Sequence, residues 1–385
     1  MYVKESYNIQ SHSKDLTYQN WYIDMNASKA SDFYAPEIIK YHNLTTDHYG
    51  LVATAIFGTW LVIIIFFSVF GNLLVIIVII RDRNMRTAKN GTNLFLVNLA
   101  VSDMMVGICM APVSLNTLVH EEWQFLDWMC SLNSFLNTLF LFASIHTLMY
   151  MSLHKFISLR RHARCDLTFI SRKTCLALIA AAWIWGLVFG ILATSVLSRA
   201  VYHPKKLQCG PMYPRFNLRD VVLFLANFAC NFIVPFLIMA VCYRKIFKII
   251  KESVEFRRNS VHTLTAANTV AQDRQITITL LLVLSVFIIC WIPYAVYIFY
   301  ALFLKDKHDI PAILNPLAYC FGFTNSICNP IIYGFRSKDF NEGYRMIFYD
   351  VKRVSFRLVG KEIQLEPGVN IGMRTRRISS SASRA

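Results

Sequence analysis

The sequence predicts an all-α membrane protein, a bundle of seven membrane-crossing helices followed by a short amphipathic helix on the cytoplasmic side. Three observations predict it. Hydrophobic residues fill 55 % of the 385 positions and charged residues only 16 %, against about 25 % charged in an ordinary soluble domain. Seven apolar runs are each long enough to cross a bilayer, because a helix rising ~1.5 Å per residue needs ~20 residues for a hydrocarbon core ~30 Å thick. The formal charge of +16 falls between these runs rather than on one surface. That placement argues against a nucleic-acid partner and for membrane orientation.

The runs lie at about Leu51 to Ile80, Thr92 to Val119, Trp128 to Leu153, Cys175 to Leu197, Val221 to Ile249, Ile276 to Leu304 and Pro311 to Gly334. The second and seventh read as the least apolar. No short apolar region with a small-residue cleavage site precedes them, so the first run is expected to act as its own anchor. Lys and Arg cluster in alternate loops, at Arg81 to Lys89, Lys155 to Lys173, Lys245 to Arg274 and beyond Arg336. Those loops share the cytoplasmic side, which puts the amino terminus outside and the carboxyl terminus inside the plasma membrane. The sequons at Asn26 and Asn43 fall in the outer segment, where glycosylation is available, whereas Asn90 falls inside.

After the last run, Phe335, Phe340, Tyr344, Ile347, Phe348 and Val351 recur at helical spacing among Arg336, Lys338, Arg345, Lys352 and Arg353. Such a basic amphipathic helix lies on lipid at the inner leaflet. The expected division is therefore residues 1–50 as a glycosylated extracellular segment, 51–334 as the bundle, and 335–385 as amphipathic helix and cytoplasmic tail. Neither an internal repeat nor a chain of ionisable residues marks a transport pathway. Metal-ligand spacing and a nucleophile with a base are also missing from the runs, so an enzyme is not expected.

Polar residues inside a membrane default to functional hypotheses. The one acid in the cores of the seven runs is Asp103, in Leu99-Ala-Val-Ser-Asp103. Gly71-Asn72 and Asn325-Ser326-Ile-Cys-Asn329-Pro330-Ile-Ile-Tyr333 offer it polar neighbours. These segments, with Trp123 ahead of Cys130, Pro235 with Tyr243, and Phe287 with Cys290-Trp291-Ile-Pro293, occur in an order and spacing that resembles the rhodopsin-like (class A) G-protein-coupled receptors from about residue 55 to 345. The resemblance implies a receptor that passes binding of an extracellular small-molecule or peptide ligand to a heterotrimeric G protein. By the same resemblance Cys130 and Cys209 form a disulfide over the ligand entrance. Asp103, Ser144, Asn325, Ser326 and Asn329 would line a sodium and water pocket, with no other cofactor. Ile145, Pro235, Phe287, Trp291, Pro293 and Pro330 would form the activation switch, with Tyr243 and Tyr333 facing the cavity that opens.

The chain departs from the family at three places. Where the third run usually ends in Asp-Arg-Tyr it carries His154-Lys155-Phe156. Lys lacks the planar fork of Arg, so either a Lys155 to Asp273 pair braces the resting state or the receptor is constitutively active or non-coupling. Asn137 stands where amine receptors of the family carry an Asp, although the sixth and seventh runs look amine-receptor-like. An Asn offers a dipole instead of a countercharge. Asn227 and Asn231 are expected to face Asn137, with Trp291, Tyr294 and Tyr319 closing a pocket suited to a neutral or zwitterionic ligand. Phe323 replaces the retinal-binding Lys, which excludes an opsin. Ser379 and Ser381, after Arg376-Arg377, are candidate phosphorylation sites for arrestin recruitment.

Overall fold

The computed structural model describes residues 49–86, 91–163, 170–196, 200–202, 206–211, 218–258, 264–304 and 310–358. The sequons Asn26, Asn43 and Asn90 and the serines at 379 and 381 lie outside them.

Helix α1 (Leu51–Arg81) is the first span. It ends where Asp82 turns extended, and the Asp82 carboxylate then accepts from Met85 N at 3.2 Å to start the short α2 (Arg83–Arg86). The second span joins α3 (Thr92–Met105) to α4 (Ala111–His120) through a π-helical turn at Val106–Met110. It begins at Gly91, whose φ of 64° is left-handed; a Cβ there would also collide with Cys175 Sγ on the fourth span. The third span is α5 (Asp127–Ala163) and the fourth α6 (Arg172–Ile191), capped by Ser171, whose hydroxyl accepts from Thr174 N at 3.1 Å. A π turn at Leu192–Val196 follows. The loop after it folds back as a hairpin of β1 (Ala200–Val201) and β2 (Gly210–Pro211).

The fifth span joins α7 (Leu218–Phe228) through a π turn at Ala229–Ile233 to α8 (Val234–Arg258). The sixth is α9 (Leu264–Phe303), the seventh α10 (Leu314–Arg336), and α11 (Lys338–Leu358) is the amphipathic helix. The third, fifth and sixth helices outrun their apolar segments because a helix does not stop at the edge of the bilayer.

Six of these helices are long and apolar enough to cross a membrane, and the third span, not the second, is the least apolar of the six. The seventh buries more than half of its residues, among them Asn315, Asn325, Ser326 and Asn329. Its apolarity is low because it faces protein instead of lipid. Phe66, Phe67, Phe70, Leu237, Ile289 and Val296 point outward in the spans, a surface that water would penalise and hydrocarbon accepts.

Span 1 packs on spans 2 and 7, span 3 on spans 4 and 5, and span 6 chiefly on span 7. Two apolar clusters stack along the bundle. One, with Phe57, Leu61, Met110, Phe140, Leu207, Tyr319 and Phe323, lies toward the disulfide end. The other, with Phe95, Ile145, Leu148, Tyr243, Phe287 and Tyr333, lies toward the basic end. Helix α11 breaks from α10 at the extended Ser337 and docks on α1, where Gly343 lies against Val78 and Arg81 meets Asp350 at 2.8 Å.

Candidate functional site

Four layers of polar and aromatic side chains descend from the disulfide end. In the first, Cys130 of span 3 is bonded to Cys209 of the hairpin loop. The bond draws Leu207, Gln208 and Cys209 into the bundle, where all three are buried. Leu207 N donates to Asn315 Oδ1 of span 7 at 2.9 Å, and Thr117 Oγ1 of span 2 donates to Leu207 O at 2.8 Å. Gln208 Nε2 donates to Met110 O at 2.8 Å and to Ser114 Oγ, while Cys209 N donates to Asn133 Oδ1 at 3.1 Å. Tyr49 N, ahead of span 1, donates to Glu121 Oε1 at 3.1 Å. Burial, and then Tyr202 and Glu121 nearby, pushes the Tyr49 hydroxyl above the usual phenol range.

The second layer holds the expected ligand residues. Asn137, half-buried, lies one turn along span 3 from Asn133 and so on the same face. Tyr294 packs edge-on against both Trp291 and Tyr319, at 5.5 and 5.4 Å between ring centroids. Asn231 corrects the expectation. Its Oδ1 accepts from Trp185 Nε1 of span 4 at 2.8 Å, and its Nδ2 donates to the Asn227 carbonyl and Oδ1. Both ends of the amide are thus consumed inside the protein. Asn227 and Asn231 do share a face, as their mutual bond shows, but Asn231 lies against span 4, where the Trp185 N–H donates to its oxygen.

In the third layer Phe236, Phe287 and Trp291 form a column, with centroids 6.2 and 6.1 Å apart, and Ile145 is fully buried in the same core. The Trp291 ring lies on the backbone of span 7 at Gly322, where even one Cβ would come within 3.3 Å of it. Trp291 Nε1 is buried with no partner among the described residues. Pro293 and Pro330 sit inside their helices, and Pro235 follows the π turn of span 5. Each proline removes an intrahelical bond, Pro235 and Pro293 beside this column and Pro330 lower on span 7, against Gly71 of span 1.

The fourth layer surrounds Asp103, which is 1 % exposed. Asn329 Nδ2 donates to its Oδ2 at 2.7 Å, and Ser68 donates to its backbone carbonyl at 2.6 Å. Asn72 Nδ2 ties span 1 to span 7 by donating to Ser326 O at 2.8 Å. The Ser144 hydroxyl lies 3.0 Å from that of Ser102. Amide oxygens of Asn72, Asn325 and Asn329 are buried here without a partner among the described residues.

At the basic end the unusual triplet is largely interior. His154 is 1 % exposed, its ring 5.6 Å from Phe95, and Lys155 is also buried. Phe156 carries the Lys245 ammonium over its face at 5.5 Å. The side chain of Asp273 lies outside the described residues, and with it the expected brace to Lys155. A brace of another kind is present: Gln275, at the foot of span 6, donates to the Arg336 carbonyl at the foot of span 7. Tyr243 and Tyr333 are both turned inward and buried.

Sequence reasoning passed over Thr117, Ser114, Asn133, Asn315 and Gln275. It also passed over Asn98, which accepts from Trp183 Nε1 at 2.8 Å and donates to Thr147 Oγ1 at 2.8 Å, joining spans 2, 3 and 4. Polar side chains in an apolar run are costly enough to have marked all but Gln275.

Comparison with known proteins agrees with this geometry. The family model of the seven-transmembrane receptors of the rhodopsin family matches residues 71–333. The human histamine H2 receptor is 26 % identical over 288 residues, covering 75 % of this chain and 78 % of its own. Galanin receptor 2b of Danio rerio is 29 % identical over 285 residues, covering 72 % and 71 %. The type-1 angiotensin II receptor A of Xenopus laevis is 27 % identical, covering 72 % and 75 %. Squid rhodopsin shares the fold, with a TM-score of 0.69 at 19 % identity over 83 % of this chain and 90 % of its own. The chain belongs to the rhodopsin family of seven-transmembrane receptors: it is a multi-pass, class A G-protein-coupled signalling receptor and not an enzyme.

Proposed function

We propose that this receptor sits in the plasma membrane with its amino terminus outside and binds a small neutral or zwitterionic ligand between Asn137, Tyr294 and Tyr319. The relatives named above divide between an amine and peptides, so kinship alone does not choose the ligand class. What supports the reading is Asn137: a half-buried amide, not a carboxylate, whose neighbours Leu136 and Phe140 share one apolar cluster with Tyr294 and Tyr319. Ligand contacts there would act on Trp291, which touches both the cleft aromatics and the backbone of span 7. Spans 6 and 7 are clamped at the far end by Gln275 and Arg336. Shifting the Trp291 packing therefore biases the opening at the basic end, as a population shift between two helix packings.

The Asp103 layer suits a sodium ion, because a hard cation takes oxygen ligands and the buried amide oxygens of Asn72, Asn325 and Asn329 have no partner among the described residues. Bound there, the ion would neutralise a charge that is otherwise expensive in the membrane. Arrestin recruitment through Ser379 and Ser381, and lipid contact by α11, complete the expected partners.

A library of small neutral and zwitterionic molecules, alongside peptides, read by several G-protein reporters and by arrestin in whole cells, tests the reading. A small-molecule response abolished by Asn137→Ala supports it. A peptide response indifferent to that change overturns it.

A further inference from the structure

We propose that Cys290 of span 6 and Cys328 of span 7 form a redox modification site: a peroxide oxidises the pair to a disulfide, which fixes the backbone carrying Trp291 against span 7 and holds the resting packing. The modification is independent of the ligand, whereas its consequence for signalling rests on the reading of Trp291 as the switch.

Seven cysteines among the described residues are free thiols. Two of them meet: the side chains of Cys290 and Cys328 are hydrogen-bonded to one another across the interface of spans 6 and 7. That interface is close-packed nearby, where the ring of Trp291 lies on Gly322. Cys290 is 6 % exposed and Cys328 half-buried.

A thiol buried among apolar groups is ordinarily inert. This pair differs because one sulfur is the more accessible and the other already touches it. Asn325, three residues before Cys328 and so on the same helical face, has a buried amide oxygen with no partner among the described residues. A hydroxylic oxidant reaching Cys328 finds an acceptor for its O–H there. Hydrogen peroxide is uncharged and close to water in size. Attack of the Cys328 sulfur on it gives a sulfenic acid, and the neighbouring Cys290 sulfur displaces the oxygen. In the sum two S–H bonds and the peroxide O–O bond break, one S–S bond and two O–H bonds form, and both oxygens leave as water. The two sulfurs together lose two electrons, which the peroxide takes up. Further oxidation to sulfinic acid needs a second peroxide, so a resolving thiol in contact wins.

The position of the bond gives it a consequence. Trp291 follows Cys290, and Pro293 leaves the helix short of a hydrogen bond just beyond. Asn329 follows Cys328 and donates to Asp103 Oδ2 at 2.7 Å. A disulfide holds its sulfurs at about 2.05 Å and its α carbons within about 7 Å. With Cys290 so held, the Trp291 backbone stays against span 7. The thiols meet in the clamped arrangement, with Gln275 on Arg336 O, so the bond selects that packing.

The test treats the full-length receptor in washed membranes with hydrogen peroxide, alkylates the remaining thiols and maps the peptides by mass, alongside Cys328→Ser. Cys230, exposed on span 5, reports that oxidant reached the protein. The peptide joining Cys290 to Cys328 should rise about tenfold over the untreated sample, and a phosphine reductant mild enough to spare the Cys130 to Cys209 bond should remove it. Hydrogen exchange at the foot of span 6, residues 275–284, should slow about threefold in the cross-linked receptor and recover on reduction. Peroxide-treated Cys328→Ser should show neither change.

Oxidised Cys230 with Cys290 and Cys328 still free, or each of the pair carried singly to sulfinic acid, would overturn the site. A cross-link that left exchange at the foot of span 6 unmoved would overturn the lock and count against the Trp291 switch, so the two failures are told apart. Recovery on reduction is read in the wild type and does not depend on the variant folding.

Discussion

Replacing Gly322 by Ala tests whether Trp291 is a switch or only packing. The added Cβ would stand 3.3 Å from two atoms of the Trp291 six-membered ring and 3.4 Å from a third, tighter than ordinary van der Waals contact. Overpacking of this kind costs about 1–3 kcal/mol when neighbours have to move. Ala also favours helix over Gly by about 1 kcal/mol, but that gain is common to both helix packings and cancels in the equilibrium between them. The clash does not cancel if the ring leaves span 7 when span 6 swings. The clamped arrangement, with Gln275 on Arg336 O, would then lose about 1.4 kcal/mol or more relative to the open one, a factor of ten in population. Ligand-free second-messenger output, normalised to surface receptor, should rise about tenfold, and Trp291→Leu in the same chain should remove the effect. If Gly322→Ala lowered the melting temperature but left ligand-free output at the wild-type level in a responsive assay, Trp291 would be a core residue and the switch argument would fail.

Three further outcomes are expected. Trp185→Phe and Asn231→Ala should couple by about 1 kcal/mol in a double-mutant cycle on thermal stability, since each removes the same 2.8 Å bond; additive effects would return Asn231 to the cleft. Sodium, exchanged against N-methylglucamine at constant ionic strength, should stabilise the wild type by about 1.4 kcal/mol at tenfold excess over its dissociation constant and leave Asp103→Asn unmoved; equal shifts would remove the ion from this site. Partial burial, and then Asp82 and Glu342, raise the Asp339 carboxyl above its usual range. A raised acid is one whose folded form holds the proton more tightly, so docking of α11 on α1 should be firmest in mildly acidic buffer and loosen as pH rises through the raised value. Hydrogen exchange of the α11 amides should show that slope in the wild type and a flat profile in Asp339→Asn.

How far the sequence could be read depended on whether a feature repeats along the chain or arises once in space. A span is some twenty successive residues meeting the same solvent, so all seven runs were legible from composition. The seventh falls outside the six most apolar helices because Asn315, Asn325 and Ser326 face protein and depress its apolarity. Asp103 stood out because a carboxylate in hydrocarbon has few explanations, and its bond to Asn329 brings together two of the residues the resemblance named. The Trp185 to Asn231 bond, by contrast, arises once, between spans 4 and 5, and spacing along span 5 alone does not show which helix Asn231 faces.

The basic end shows a second kind of blindness. Charge complementarity directed attention to Lys155 and Asp273, but the contact between the feet of spans 6 and 7 is a Gln amide on a backbone carbonyl. A carbonyl is available at every residue, so nothing in composition distinguishes Arg336 as an acceptor. The same holds at the other end, where Leu207 and Cys209 are held through their backbone by Thr117, Asn315 and Asn133. In both places the side chains that do the holding are uncharged and unremarkable in type. What marks Thr117, Asn133 and Asn315 is depth: a neutral polar group inside a lipid-facing span needs a partner, and for these three that partner is the chain's own backbone.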